Sequence, residues 1–178
     1  MSRRASPADW CAAGLALLRD EGVDALTVER LCAALGRTKG SFYHHFRDLD
    51  AYLAALLERW EEELTDAPIR AAAGEPDPRR RGLRLDELVR RLDHRLDLAV
   101  RAWALRDRRA RAAMERVDRR RVDHVAGLYR ESGRRQARLL AELEYAAFVG
   151  AQQTGLLASP ARDARLARML RRALAGLG

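Results

Sequence analysis

Between Thr38 and Arg47 the chain reads TKGSFYHHFR, which places its only lysine, Lys39, beside Gly40 and Ser41 and just ahead of Tyr43, His44 and His45. These side chains offer one ammonium, two hydroxyls and two imidazoles. Such a set can hold a metal, fill a core or grip a nucleic acid. The metal reading fails on spacing: adjacent histidines on a helix point about 100° apart. No H-E-x-x-H or neighbouring cysteine completes a ligand set. Core packing suits Phe42 and Phe46, one turn apart, and leaves Tyr43 and His44 on other sides. A nucleic-acid reader uses those two as well. Lys39 can reach a phosphate or a guanine, Gly40 lets the backbone come close, and Ser41, Tyr43 and His44 present hydrogen-bonding tips. The amino end of the helix that carries them also favours phosphate.

The elements that must position this set are legible around it. Ser6, Pro7 and Asp9 open a first helix that ends at Gly22. Thr27 caps a second, with Val28, Leu31, Cys32 and Leu35 on its apolar face and Gly36 as its stop. Thr38 caps a third helix running to about His45. Two short helices joined by so tight a turn make a helix-turn-helix. Asp48 caps a connecting helix over 48–66 with the stripe Leu49, Leu53, Leu56, Leu57, Trp60 and Leu64. Residues 67–83, with Pro68, Gly74, Pro76, Pro78 and Gly82, are expected to form a loop. Leu85, Leu88, Leu92, Leu96, Ala99, Val100 and Trp103 then predict a single helix from Arg84. Asp107 caps the next, which stops at Gly133, and another is expected from about Arg135 to Leu157. Ser159 and Pro160 start the last, with Leu166, Met169, Leu170, Leu174 and Leu177 along it.

Composition agrees with an all-α chain. Of 178 residues 48% are apolar and only 5 are proline, and no alternating strand of useful length occurs. Cys11 and Cys32 are isolated and read as reduced core residues. No apolar run approaches the roughly 20 residues of a membrane span, and no signal-like h-region occurs, so the expected location is the cytoplasm. The net charge of +8 is unevenly spread: residues 1–50 balance, 51–78 carry −5 and 79–178 carry +13. The excess therefore lies outside the candidate reader, and charge by itself is no argument for nucleic acid. For enzyme chemistry the chain shows no nucleophile with a base, no Gly-rich phosphate loop and no metal set, and no cofactor is expected.

The segment LTVERLCAALGRTKGSFYHHFRDLDAYLAALL, Leu26 to Leu57, preceded by a helix ending LLRDEG, resembles the DNA-binding domain of the TetR/AcrR family of transcriptional regulators. The resemblance implies a helix-turn-helix domain over 1–47, and a C-terminal ligand-binding and dimerisation domain over 48–178. It implies a homodimer on a palindromic operator, usually a repressor, released by a small organic ligand. By position Thr27 and Thr38 would touch backbone, and Lys39, Gly40 and Ser41 would sit near base edges. Tyr43, His44 and His45 would bridge bases and phosphates, with a structural role for His45 as the alternative. Two positions depart from the pattern. Leu49 stands where many members carry a phosphate-gripping lysine, so that contact is lost or passes to Arg47. Glu29 stands where some relatives place a basic residue. Arg3 and Arg4 are available as an arm.

In the C-terminal half no motif assigns residues. Aromatic walls with polar tips suit small ligands, which makes Trp60, His94, Trp103, Met114, His124, Tyr129, Tyr145, Phe148 and Gln152 pocket candidates, with core packing as the alternative for each. Asp118 and Arg121, three apart, can pair or contact a polar ligand. Leu139, Leu143, Ala146, Gly150, Thr154 and Leu157 share a helical face that, with Leu166, Met169, Leu170 and Leu174, suits a symmetric four-helix contact between two copies. Packing of both faces inside one chain is the alternative. A helix-turn-helix regulator whose C-terminal half only dimerises or binds a protein partner remains the competing reading.

Overall fold

Ser6 opens α1 (Pro7–Glu21) with a capping box: its Oγ accepts from the Asp9 amide at 3.2 Å and the Asp9 carboxylate accepts from the Ser6 amide at 2.8 Å. The computed structural model describes residues 5–176, all helix, turn or loop, with no strand among them. Arg3, Arg4 and Leu177 lie outside the described residues. The chain divides into two compact units, Met1–Glu63 with Arg95–Met114, and Leu64–His94 with Glu115–Gly178.

In the first unit, α1 packs on α2 (Val28–Leu35), α4 (Leu49–Glu61) and α7 (Arg95–Ala104), and α2 on α3 (Lys39–Tyr43). Thr27, Thr38 and Asp48 cap α2, α3 and α4, accepting from the amides of Arg30, Ser41 and Ala51. Gly36 ends α2 in the left-handed region, φ 61° and ψ 41°, which lets the Arg37 amide return to the Cys32 carbonyl at 2.9 Å. A side chain there would strain the backbone by about 1–2 kcal/mol. The core is aromatic. Phe42 meets the edges of Trp10 and Tyr52, each at 5.4 Å, and Phe46 meets Tyr52 at 5.1 Å. Tyr52, fully buried, donates its hydroxyl to the Trp10 carbonyl at 3.0 Å. The Trp60 indole donates to the buried carboxylate of Asp97 at 2.9 Å, which ties α4 to α7.

Two sequence expectations need correction. Residues 67–83 are not one loop: α5 (Ala67–Ala72) occupies its start, and α6 (Pro78–Val89) already begins inside it. Pro68 and Pro78 sit in first turns, where the missing N–H costs nothing, and Asp77 caps α6 through the Arg80 amide at 2.8 Å. The breakers Gly74 and Pro76 act only between the two helices. Nor is there one helix through Leu85 and Trp103. It breaks at residues 90–94, where the chain passes from the second unit to the first; the apolar period runs on across the break and so hides it. Between α4 and α5, residues Glu62–Asp66 form a π-helical turn. The remaining helices are α8 (Arg108–Glu131), capped by Asp107 through the amides of Arg109 and Ala110, α9 (Ala137–Gln153) and α10 (Pro160–Ala175). α9 stops short of Leu157 because Gly155 turns the chain at φ 70°.

Candidate nucleic-acid interface

The aromatic core decides which residues of α3 can face a ligand. Phe42 is wholly buried and Phe46 nearly so, which orients Lys39, Gly40, Tyr43 and His44 outward. Tyr43 is 53% exposed, and its ring meets the Phe42 edge at 5.4 Å. Thr38 is exposed, and Thr27 and Ser41 are half-buried. His45 does not share their position: its Nε2 donates to the Ala5 carbonyl at 2.8 Å, holding the end of α3 to the start of α1. Of its two expected roles the structural one fits this geometry. The orphan carbonyl before α1 gave no sequence signal.

Three cations flanking this surface meet carboxylates of their own unit. Arg30 pairs with Glu21, Lys39 with Glu29, and Arg47 with Asp48 at 2.8 Å. The Lys39–Glu29 pair joins the first turns of α2 and α3. Its hydrogen bond holds the Glu29 carboxyl below the usual range and raises the Lys39 ammonium above its own. Sequence reading noted Glu29 as an oddity and did not see its partner ten residues on.

Residues 11–56 match the family model described as bacterial regulatory proteins, tetR family. The segment that carries α1 to α4 is thus similar to the DNA-binding part of tetR-family regulators. The whole fold agrees. A transcriptional regulator from Rhodococcus sp. Rha1 superposes with a TM-score of 0.78 at 20% identity, covering 97% of each chain. A regulator ascribed to the TetR/AcrR family superposes with 0.82 at 18% identity, covering 94% of this chain and 97% of its own. The reduced form of E. coli NemR gives 0.74 at 21%, covering 93% and 95%. At these identities the likeness speaks for the fold. No curated protein matches at a comparable level.

The C-terminal candidates fall into three places. Trp60, Trp103 and Met114 are buried in the core of the first unit; an apolar stripe does not reveal which unit it will serve. In the second unit, Asp118 and Arg121 are bridged by Tyr145, whose hydroxyl donates to Asp118 at 2.6 Å and accepts from Arg121 at 3.4 Å. Arg121 also donates to Thr65 Oγ1 at 3.0 Å. Burial chiefly, with Asp118 beside it and Arg121 opposing, pushes the Tyr145 phenol up to about 12. Phe148 and His94 pack edge to face at 5.5 Å, and Gln152 donates to His94 Nδ1 at 3.2 Å. The third place is a cavity of about 470 Å³ walled by Leu83, Leu85, Val125, Leu128, Tyr129 and Glu144. Tyr129 is the one candidate that lines it. His124 is half-buried near it in sequence and takes no part in the wall. Tyr129 donates to Glu144 at 2.7 Å, and burial raises the Glu144 carboxyl. Sequence reading missed Glu144, which stands among small and apolar neighbours without any motif.

On α9, Leu139 and Leu143 are 50% and 44% exposed, with Ala146, Gly150 and Thr154 exposed beyond them. Leu157, Leu166 and Leu170 are half-buried, and Met169 is 59% exposed. Leu174 departs from this set. It is 3% exposed, buried in its own unit, and its carbonyl accepts from Arg134 at 2.7 Å.

Proposed function

We propose that this protein is a TetR-family regulator, a homodimeric repressor that binds a palindromic operator through α3 and is released from it by a small organic ligand. The observation that carries the DNA contact is the outward set of Lys39, Gly40, Tyr43 and His44, held by a wholly buried Phe42. Thr27, Thr38, Ser41 and Arg47 supply polar groups around it for phosphate. The exposed leucines of α9 support the dimer, whose two α3 helices would meet successive major grooves about 34–36 Å apart. The cavity of about 470 Å³ supports ligand control, being of the size and apolar character of small-molecule sites. A ligand acts only if it prefers the conformation that does not fit DNA. The competing reading, a C-terminal half that only dimerises or binds a protein, leaves that cavity without a use.

Fluorescence anisotropy with the upstream intergenic DNA and with scrambled duplex tests the operator claim. Preferential binding is expected, and Tyr43→Ala should weaken it at least about tenfold, the scale of one good base contact, with the helical spectrum unchanged. Equal binding of both duplexes by the native protein and the variant would refute the assignment of Tyr43.

A further inference from the structure

We propose that Glu29 is a specificity device: it occupies the Lys39 ammonium in the free protein, so that phosphate alone does not capture the lysine and non-specific DNA binding is suppressed. This rests on the DNA-binding reading above. Both side chains face solvent, 64% and 60% exposed for Glu29 and Lys39, and they touch across the turn between α2 and α3. At such exposure the pair contributes little to folding. Its position gives it another consequence. It lies on the surface where Tyr43 and His44 face outward, in a segment whose residues 1–50 have no net charge. With Arg30 on Glu21 and Arg47 on Asp48, that surface presents cations already matched by carboxylates. A phosphate approaching Lys39 must separate the ion pair and then lie beside a bare carboxylate. A G·C pair in the major groove offers more. The guanine O6 and N7 accept from Lys39 while the cytosine amino group donates to Glu29, so both members keep a partner. The penalty thus falls on sites without that pair, which is discrimination by repulsion.

The test needs no knowledge of the operator. Binding of the full-length protein to a scrambled duplex is measured between 50 and about 200 mM salt for the native chain, Glu29→Gln, Lys39→Ala and the double variant. Circular dichroism checks each fold. Freeing Lys39 adds about one phosphate contact, so for Glu29→Gln the log–log salt slope should steepen by about 0.9 and affinity at 0.1 M rise on the order of 8-fold. Lys39→Ala, with Glu29 left bare, should bind most weakly, and the double variant should return close to the native chain. Native-like affinity and slope for Glu29→Gln would overturn the inference and leave the DNA-binding reading standing. Absence of binding to any duplex by all four proteins at 50 mM salt, well inside the range where such contacts act, would overturn both.

Discussion

Adding one methyl group at Gly14 should destabilise the first unit, against the ordinary rule for helices. In an exposed helix interior Gly→Ala stabilises by about 1 kcal/mol. Here a Cβ would stand 1.7 Å from Tyr52 Oη, 2.9 Å from its Cζ and 3.1 Å from Leu56 Cδ1. Tyr52 has no space into which to retreat, since its ring is fully buried between Phe42 and Phe46. Overpacking of this kind costs about 1–3 kcal/mol. Displacing the phenol also breaks its bond to the Trp10 carbonyl, and a buried hydroxyl left unmade costs about 1–3 kcal/mol more. After the helix gain is subtracted, Gly14→Ala should lose about 3 kcal/mol. Urea unfolding followed by tryptophan fluorescence reads this directly, because Trp10, Trp60 and Trp103 all lie in the first unit. In a Tyr52→Phe background the closest atom is gone, so the Gly14→Ala penalty should shrink. A Gly14→Ala protein at least as stable as the native one, or a penalty unchanged by Tyr52→Phe, would refute the argument.

Trp60→Phe should lose about 1–3 kcal/mol, because the buried Asp97 carboxylate gives up its indole donor; urea unfolding monitored by circular dichroism measures it. An unchanged midpoint would show that Asp97 is otherwise satisfied. Glu144→Gln should become progressively more stable than the native chain as pH rises. The folded carboxyl is raised above its usual 4.5 by burial, so below that pH the native chain suffers no penalty, and as pH climbs toward the folded value stability is lost. Glutamine escapes that loss and still accepts from Tyr129. Thermal unfolding at pH 5 and pH 8 should show the gap in Tm widening, and a constant gap would contradict the stated cause.

Local chemistry was legible wherever a residue acts on its own neighbours. Ser6, Thr27, Thr38 and Asp48 cap helices because each oxygen reaches an amide three residues on, and Gly36 turns the chain because it alone tolerates φ 61°. Phe42 and Phe46 read as core and Tyr43 as outward because a helix fixes their relative directions. These rules need only a few residues of context. They established an all-helical chain with a helix-turn-helix from the sequence by itself.

Tertiary structure decided what depends on partners far along the chain. Tyr52 is a core hydroxyl because Trp10 offers a carbonyl 42 residues away, and Asp97 is buried because Trp60 reaches it from 37 residues away. His45 braces Ala5 across 40 residues. The apolar stripe through Leu92 and Leu96 continued unbroken in sequence while the chain turned from one unit into the other. Leu174 read, with Leu139 and Leu143, as part of a contact between two copies; it is buried within its own unit, whereas those two are exposed. Periodicity tells which residues share a face. Which body covers that face is settled only when distant helices compete to bury apolar area.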